Sequence, residues 1–233
     1  MKIYENMEQG SEEWHKVRQG VLTASEMKLI ITPTLKVAAN KEKRTHVYEI
    51  AAQRITEYTE PKYFNSDMMR GHEDEIDAIE IYSENYAPVK TVGFITNDKY
   101  GFTLGFSPDG LVDEETAPAD QDDGFIEVKS RMQKHQLATI IADEVPAEYM
   151  LQIQTGMLVT ERKWCDFISY CGGMPMKTLR VYADIDMQSA ILKAAEQFEN
   201  EVAGAIRDFE AKLADDNERL IETERREEME IVV

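Results

Sequence analysis

The sequence predicts a single α/β domain in which helices flank a small mixed β-sheet. Its 233 residues suit one domain with a substantial core, and 42% hydrophobic with 30% charged residues is ordinary for a globular protein. Helical periodicity comes first, short strands separated by glycines follow over 89–128, and helix, strands and helix complete the chain. This order is typical of an α/β domain spanning 1–233, with a C-terminal helix and an acidic tail from about 184.

Four helices are expected before the first strands. Ser11 caps a helix with acids in its first turn, and Gly20 ends it. Thr23 or Ser25 caps the next helix, which Pro33 ends. Two longer helices follow over 40–59 and 66–86. The second of them has an apolar stripe of Met69, Ile76, Ile79 and Tyr82.

The remaining elements alternate between strands and helices. The predicted strands are 104–112, with a turn at Pro108 and Gly110, then 124–129, 164–170 and 177–182. Helices are predicted over 134–142, from Pro146 to about 160, and from Asp184 or Asp186 to beyond Leu213. Leu213, Leu220 and Ile221 are expected on one face of this last helix. Its final turns would leave the core, either as a docking element or as a solvated segment.

The charge and the cysteines restrict the functional class. A net charge of −19 argues against a generic polyanion binder, although a basic channel inside an acidic shell remains compatible with it. Cys165 and Cys171 lie in apolar surroundings without metal-ligand spacing, so we expect buried thiols in a reducing compartment. No apolar run could span a membrane, and the N-terminus does not resemble a signal peptide. We therefore expect a cytoplasmic protein without a membrane segment.

A candidate catalytic set comprises Asp109, Glu127 and Lys129. Glu127 and Lys129 alternate along one strand and project from the same face, with Val128 turned to the core. Asp109, in a Ser-Pro-Asp-Gly turn, joins them if its strand pairs alongside. Two carboxylates suit Mg²⁺, and a neighbouring lysine can orient a water or stabilise developing charge, which is a layout for phosphodiester hydrolysis. The alternative is a solvated strand face beside an ordinary turn aspartate.

Five sequence motifs carry a resemblance to a known family. They are E-W-H-K-V-R-Q-G-V-L-T-A-S-E at 13–26, R-G-H-E-D-E at 70–75, S-P-D-G at 107–110, E-V-K at 127–129 and Y-M-L-Q-I-Q at 149–154. In this order they resemble the phage λ exonuclease family, a YqaJ-type, alkaline exonuclease-like group of recombination nucleases. The resemblance implies a restriction-endonuclease-like core and digestion of duplex DNA from 5′ ends with Mg²⁺ or Mn²⁺. It also implies a homotrimeric ring and a single-strand annealing protein as partner.

The resemblance assigns catalytic roles to matching positions. Asp109, Glu127 and the backbone carbonyl of Val128 would bind the metal, and Lys129 would position the attacking water. Glu75 matches an acidic residue on the helix that flanks the site.

Gln154 matches a glutamine near the nucleophile. Gln152 is the weaker candidate, because it lies two residues from Gln154 along a helix and should therefore face a different direction. The alternatives are that Glu75 is a solvated carboxylate in an acidic helix, and that Gln154 is a polar residue between buried apolar neighbours.

The resemblance also implies a site for a DNA 5′-phosphate, formed by Arg18, Ser25 and Ser107, with Trp14 near the mouth of the DNA path. An arginine fork with hydroxyl donors is a sound anion site. The alternatives are that Ser25 only caps a helix and that Trp14 belongs to the core.

Two departures accompany the resemblance. Glu127 follows Asp109 by 18 positions, which is longer than the spacing in the family and accommodates the acidic loop 114–123. Leu158 stands where helicase-linked relatives carry tyrosine. Two other functions stay open: a site-specific or structure-specific endonuclease on the same core, and a non-catalytic acidic DNA mimic or interaction protein. The intact catalytic set counts against the second.

Overall fold

The computed structural model describes residues 1–60, 66–113, 123–215 and 217–225. Its α/β architecture confirms the predicted class, but the strands form two four-stranded mixed sheets instead of one small sheet. Helices flank both sheets. None of the helices in the described ranges combines the length and apolar character needed to cross a bilayer.

The first sheet has the order β1-β3-β4-β2. Its strands are β1 (Lys2–Tyr4), β2 (Leu22–Thr23), β3 (Phe94–Asn97) and β4 (Leu104–Phe106). β3 pairs antiparallel with both β1 and β4, whereas β2 runs parallel to β4. The sequence does not predict β1, because three residues are too few to establish an alternating pattern.

The second sheet has the order β5-β6-β7-β8. Its strands are β5 (Gly110–Val112), β6 (Gly124–Ser130), β7 (Trp164–Tyr170) and β8 (Lys177–Tyr182). The central pair β6 and β7 is parallel, and β5 and β8 pair antiparallel at the two edges. The strand predicted over 104–112 is in fact two strands in different sheets. Pro108 has no amide hydrogen for a strand ladder, so the chain crosses from one sheet to the other there.

Seven α-helices complete the described fold. They are α1 (Glu12–Arg18), α2 (Met27–Ile30), α3 (Lys41–Thr56), α4 (Ser66–Asn85), α5 (Gln133–Ala142), α6 (Ala147–Thr160) and α7 (Ile185–Leu213). Three helix starts are capped by side chains that accept hydrogen bonds from backbone amides: Ser11 at α1, Asn40 at α3 and Asp184 at α7. Thr23 and Glu26 form a capping box before α2. These contacts satisfy amide groups that a helix start leaves without partners.

The end of α7 differs from the expectation. The helix ends at Leu213, so the prediction that it continues with Leu220 and Ile221 on one face is wrong. Beyond it, the carboxylate of Asp215 accepts hydrogen bonds from the amide and the side chain of Asn217, at 3.0 and 2.9 Å. Such a local turn competes with helical hydrogen bonding. Leu220 and Ile221 are exposed.

The main core lies around α6, which is buried along its C-terminal half. It contains apolar side chains from both sheets and from α2, α3 and α7, including Leu22, Phe106, Phe125, Phe167 and Phe198. Cys165 and Cys171 are buried free thiols, as predicted.

A smaller cluster under α4 includes Tyr82, Val128 and Ile168, which confirms that Val128 faces the core. The Tyr82 hydroxyl donates to Asp166 of β7 at 2.7 Å. This bond fixes α4 across the second sheet, and α4 carries Glu75 towards β6.

Candidate active site

Asp109 occupies the segment that joins the two sheets. Its Oδ2 accepts a hydrogen bond from the backbone amide of Val128 at 2.5 Å. β5 pairs with β6 only as far as Ile126, so the Val128 amide lies beyond that ladder and is available to the carboxylate. Gln9 supports the turn from the other side, because its amide donates to the Pro108 carbonyl at 2.9 Å. The link between the sheets thus holds Asp109 against the centre of β6.

Glu127 is fully buried, with none of its surface exposed, so the alternative of a solvated strand face is wrong for this residue. Its Oε1 accepts hydrogen bonds from Lys129 Nζ and, at 2.5 Å, from Gln152 Nε2. Its Oε2 is also buried but has no hydrogen-bond partner among the described residues. A buried carboxylate oxygen without a donor is costly, which makes this atom a natural cation ligand.

The carboxylates around Lys129 have raised pKa values. Burial, with the neighbouring Asp109, raises the pKa of Glu127 to about 7, although Lys129 opposes the shift. Burial and the charge of Asp109 raise the pKa of Glu75 to about 8. The pKa of Asp109 is also raised by burial. Burial lowers the pKa of Lys129, but Glu127 and Asp109 more than compensate, so the lysine stays charged. Three acidic side chains thus share one lysine, and burial favours their protonated forms.

The two glutamines of α6 have exchanged the roles expected of them. Gln154 is fully buried, and its amide donates to the Tyr182 carbonyl at 2.8 Å and accepts from the Asp184 amide at 2.9 Å. The prediction that Gln154 lies near the nucleophile is therefore wrong. Two residues along a helix turn a side chain by about 200°. Consequently Gln152, not Gln154, reaches Glu127.

Sequence reasoning missed several groups at the edge of the site. The Tyr149 ring lies 5.6 Å from Lys129 Nζ and 5.3 Å from the Arg131 guanidinium carbon. The Arg131 side chain donates to the Tyr149 hydroxyl and, at 3.1 Å, to Glu148 Oε1. The sequence signal was the position of Arg131, which continues the Glu127–Lys129 alternation by one more step.

Ser107 connects the N-terminal motif to the site. Its hydroxyl accepts hydrogen bonds from Trp14 Nε1 at 3.0 Å and from Arg18 Nη1 at 3.1 Å. A serine hydroxyl has two acceptor positions and one donor, so the Ser107 proton stays available to a ligand. Of the four residues assigned to the 5′-phosphate and the DNA path, Arg18, Ser107 and Trp14 therefore lie together. The fourth, Ser25, is exposed, and its described hydrogen-bond partner is Thr23, 3.3 Å away.

The Arg18 guanidinium packs between aromatic rings. Its central carbon lies 4.1 Å from the centre of the Trp14 ring and 5.3 Å from that of Phe94. Burial lowers the pKa of Arg18, and the nearby Glu26 opposes this shift. A half-buried arginine that binds no carboxylate directly in the described ranges is well suited to an anion.

The side chains of the candidate site supply some, but not all, of the ligands that a divalent cation needs. In the described portion of the chain, no three His, Cys, Asp or Glu side chains lie close enough together to enclose a metal. Asp109, the partnerless Oε2 of Glu127 and the Val128 carbonyl would supply oxygen ligands, with water completing the shell, as Mg²⁺ prefers. The amide and carbonyl of one strand residue point to the same edge, so the Val128 carbonyl faces the Asp109 side. Nearly all of the acidic loop 114–123, namely 114–122, lies outside the described residues.

Comparisons with known proteins agree with this geometry. Residues 13–163 match the profile of the YqaJ-like viral recombinase domain. The crystal structure of LHK-Exo, an alkaline exonuclease from Laribacter hongkongensis, is 30% identical with a TM-score of 0.74, covering 88% of this chain and 98% of that one. LHK-Exo in complex with dAMP gives 31% identity and the same TM-score and coverage.

A phage-related exonuclease from Haemophilus somnus 129PT is 14% identical with a TM-score of 0.59, and the match covers 84% of this chain and 99% of that one. At that identity the likeness bears on the fold alone. No curated protein matches the chain significantly. The expected restriction-endonuclease-like fold of phage-type exonucleases is confirmed.

Proposed function

The chain belongs to the YqaJ-like viral recombinase family, and on this premise we propose that it is a Mg²⁺-dependent 5′-to-3′ exonuclease of linear duplex DNA. Its product would be a duplex with 3′ single strands for recombination by annealing. One observation supports this most strongly. A fully buried glutamate with a partnerless oxygen lies in hydrogen-bond contact with a lysine and adjoins Asp109.

Asp109, Glu127 and the Val128 carbonyl would hold the metal ion. When bound, Mg²⁺ or Mn²⁺ lowers the pKa of a water and neutralises charge on a phosphoryl oxygen. The protein's contribution is to fix these ligands. The Val128 amide holds Asp109, and Gln152 with Lys129 holds the other oxygen of Glu127.

Lys129 and Glu75 would handle the proton and the developing charge. Lys129 stays protonated beside two carboxylates, so it can donate a hydrogen bond to the attacking water or to a phosphoryl oxygen. Glu75, whose pKa is raised to about 8, can accept a proton from water at mildly alkaline pH. Water then forms a bond to phosphorus as the bond to the 3′ oxygen breaks, and that oxygen takes up a proton.

This cleavage gives a reason for the polarity. The released nucleotide carries a 3′ hydroxyl, and the shortened strand begins with a new 5′-phosphate. Arg18 and the free proton of Ser107 would bind that phosphate, and Ser107 is two residues from Asp109. Each cycle therefore produces the group that positions the next one, with much of the entropic cost of alignment already met.

We also propose that the chain assembles as a homotrimer and works with a single-strand annealing protein. A homotrimeric ring would turn basic side chains towards DNA and the surplus acids outward, which reconciles the charge of −19 with this substrate. A single-strand annealing protein would take the 3′ strand, in the cytoplasm of a bacterial host.

Two DNA substrates test the proposed reaction. Linear duplex should be digested with Mg²⁺ and left intact with EDTA, while a covalently closed circle should survive under both conditions. Cutting of the closed circle would instead support the endonuclease alternative. Intact linear DNA at every metal concentration would remove the proposal.

A further inference from the structure

Arg131 follows β6 and continues the face that carries Glu127 and Lys129. Its Nη1 donates to both the Tyr149 hydroxyl and Glu148 Oε1. The Tyr149 ring lies near both cations and stacks on Phe167, with 5.3 Å between ring centres. Along the backbone, Arg131 is thus one strand repeat, about 6.6 Å, beyond Lys129.

The two members of the Arg131–Glu148 ion pair differ sharply in exposure. The Arg131 side chain is 10% exposed, whereas that of Glu148 is 62% exposed. The Arg131 Nε–H is buried and has no acceptor within the part of the chain that the structure describes. A buried guanidinium with an unused donor is an incomplete anion site. Its present partner, the Glu148 carboxylate, is largely exposed, so exchanging it for another anion leaves no buried charge unpaired.

The start of α6 adds to the positive character of this position. Glu148 is in the first turn of α6, and Pro146 provides no side-chain cap for that turn. The leading amides of a helix carry partial positive charge and favour anions. An anion at Arg131 would therefore meet a buried guanidinium and a helix N-terminus together.

We infer that Arg131 binds a phosphate of the substrate strand beside the scissile phosphodiester, and that the Glu148 carboxylate occupies the guanidinium when DNA is absent. This inference rests on the proposed function, since it takes DNA as the ligand. Phosphate is the better partner, because its oxygens can use a planar arginine fork, including the donor that Glu148 leaves unused. Glu148 then moves into solvent without opening the core.

A purely structural ion pair is the competing explanation. In that case Glu148 would stabilise Arg131 in the folded state, and its removal would weaken or leave unchanged the binding of DNA. Our inference makes the opposite prediction, because removing a competitor frees the arginine for phosphate.

A double-mutant cycle on DNA affinity separates the two. Binding of a 5′-phosphorylated duplex is measured by fluorescence anisotropy, with Ca²⁺ in place of Mg²⁺, for Glu148→Gln, Arg131→Ala and the double variant. We expect Glu148→Gln to tighten binding about threefold or more, and Arg131→Ala to weaken it about tenfold. Arg131→Ala should also reduce the salt slope by about one. In the Arg131→Ala background, Glu148→Gln should have no effect beyond that of the control Glu144→Gln, an exposed neighbour.

Equal tightening by Glu148→Gln in both backgrounds, or equal effects of Glu148→Gln and Glu144→Gln, would overturn the inference in favour of general electrostatics. If Arg131→Ala does not fold, Arg131→Lys replaces it, because lysine keeps the charge but loses the fork. Wild-type protein that neither binds nor digests DNA would contradict the proposed function. Wild-type digestion without coupling in the cycle would contradict only this inference.

Discussion

The carboxylate of Asp109 accepts a hydrogen bond from the backbone amide of Val128, with 2.5 Å between Oδ2 and the nitrogen. This bond joins the link between the two sheets to the strand that carries Glu127 and Lys129. The candidate site is therefore built where the first sheet ends and the second begins. The geometry of the site depends on the turn around Asp109, which connects β4 of the first sheet to β5 of the second.

Replacing Lys129 tests its assigned role. We expect Lys129→Ala to lower the rate of hydrolysis by a factor of about 10³ or more while duplex DNA still binds, because the lysine acts on charge that develops during the reaction. Single-turnover digestion and anisotropy measure the two quantities separately. The exposed Lys134→Ala on α5 is the control and should behave as wild type. A Lys129→Ala rate near that of wild type would refute the assignment.

The two glutamines of α6 should respond differently. Gln152→Ala removes a donor to Glu127, so we expect about a tenfold loss of rate with little change in melting temperature. Gln154→Ala removes a fully buried amide that bonds the Tyr182 carbonyl and the Asp184 amide. It should lower the free energy of unfolding by about 1–3 kcal/mol, while activity well below the melting temperature persists. Urea unfolding and digestion rates measure the two effects. A loss of stability in Gln152→Ala with a loss of rate in Gln154→Ala would contradict the two roles.

A 5′-phosphate should accelerate digestion through Arg18. We expect phosphorylated duplex to be digested about ten- to a hundredfold faster than 5′-hydroxyl duplex, as one charge-assisted hydrogen bond allows. Arg18→Ala should slow the phosphorylated substrate towards the rate of the other, which serves as the internal control for folding. Ser107→Ala should act in the same direction, and Ser25→Ala should have the smaller effect. Equal rates on both substrates, unchanged by Arg18→Ala, would leave the motif with a structural role only.

The metal-free protein should lose stability as the pH rises. The folded pKa of Glu75 is about 8 and that of Glu127 about 7, against an ordinary glutamate value of 4.5 in the unfolded chain. Between these values the folded state binds more protons than the unfolded state, so the free energy of unfolding falls with increasing pH. The contribution is fully present below about pH 4.5 and lost above about pH 8.

Glu75→Gln should flatten this dependence in urea unfolding with EDTA, whereas the exposed Glu73→Gln should not. Identical slopes for the two variants would show that Glu75 is not coupled to the site.

The sequence predicted the elements that depend on local chemistry. The bounds of β7 and β8, and the helix starts at Ser11 and Asp184, follow from alternation and from side chains that accept hydrogen bonds from helix amides. It also brought Glu127 and Lys129 to one face, because that relation needs only the two-residue strand period.

What sequence reasoning could not supply depends on tertiary contacts. The division of 104–112 between two sheets results from different strand partners, since β4 pairs with β2 and β3 whereas β5 pairs with β6. Gln152 and Gln154 have the same chemistry and differ only in which side of α6 meets β6, which packing decides. The Arg131–Glu148 pair joins residues 17 positions apart and follows from the way α6 begins beside β6.

The most direct test of the central claim is the identity of the first product. A linear duplex carries a 5′-phosphate and a label in its 5′-terminal nucleotide, and early single-turnover products are separated by size. The account predicts that a labelled 5′-mononucleotide appears first, only with Mg²⁺ or Mn²⁺, and that Lys129→Ala abolishes it. Labelled internal fragments, or release of the labelled nucleotide only after the rest of the strand, would contradict a 5′-to-3′ exonuclease built on Asp109, Glu127 and Lys129.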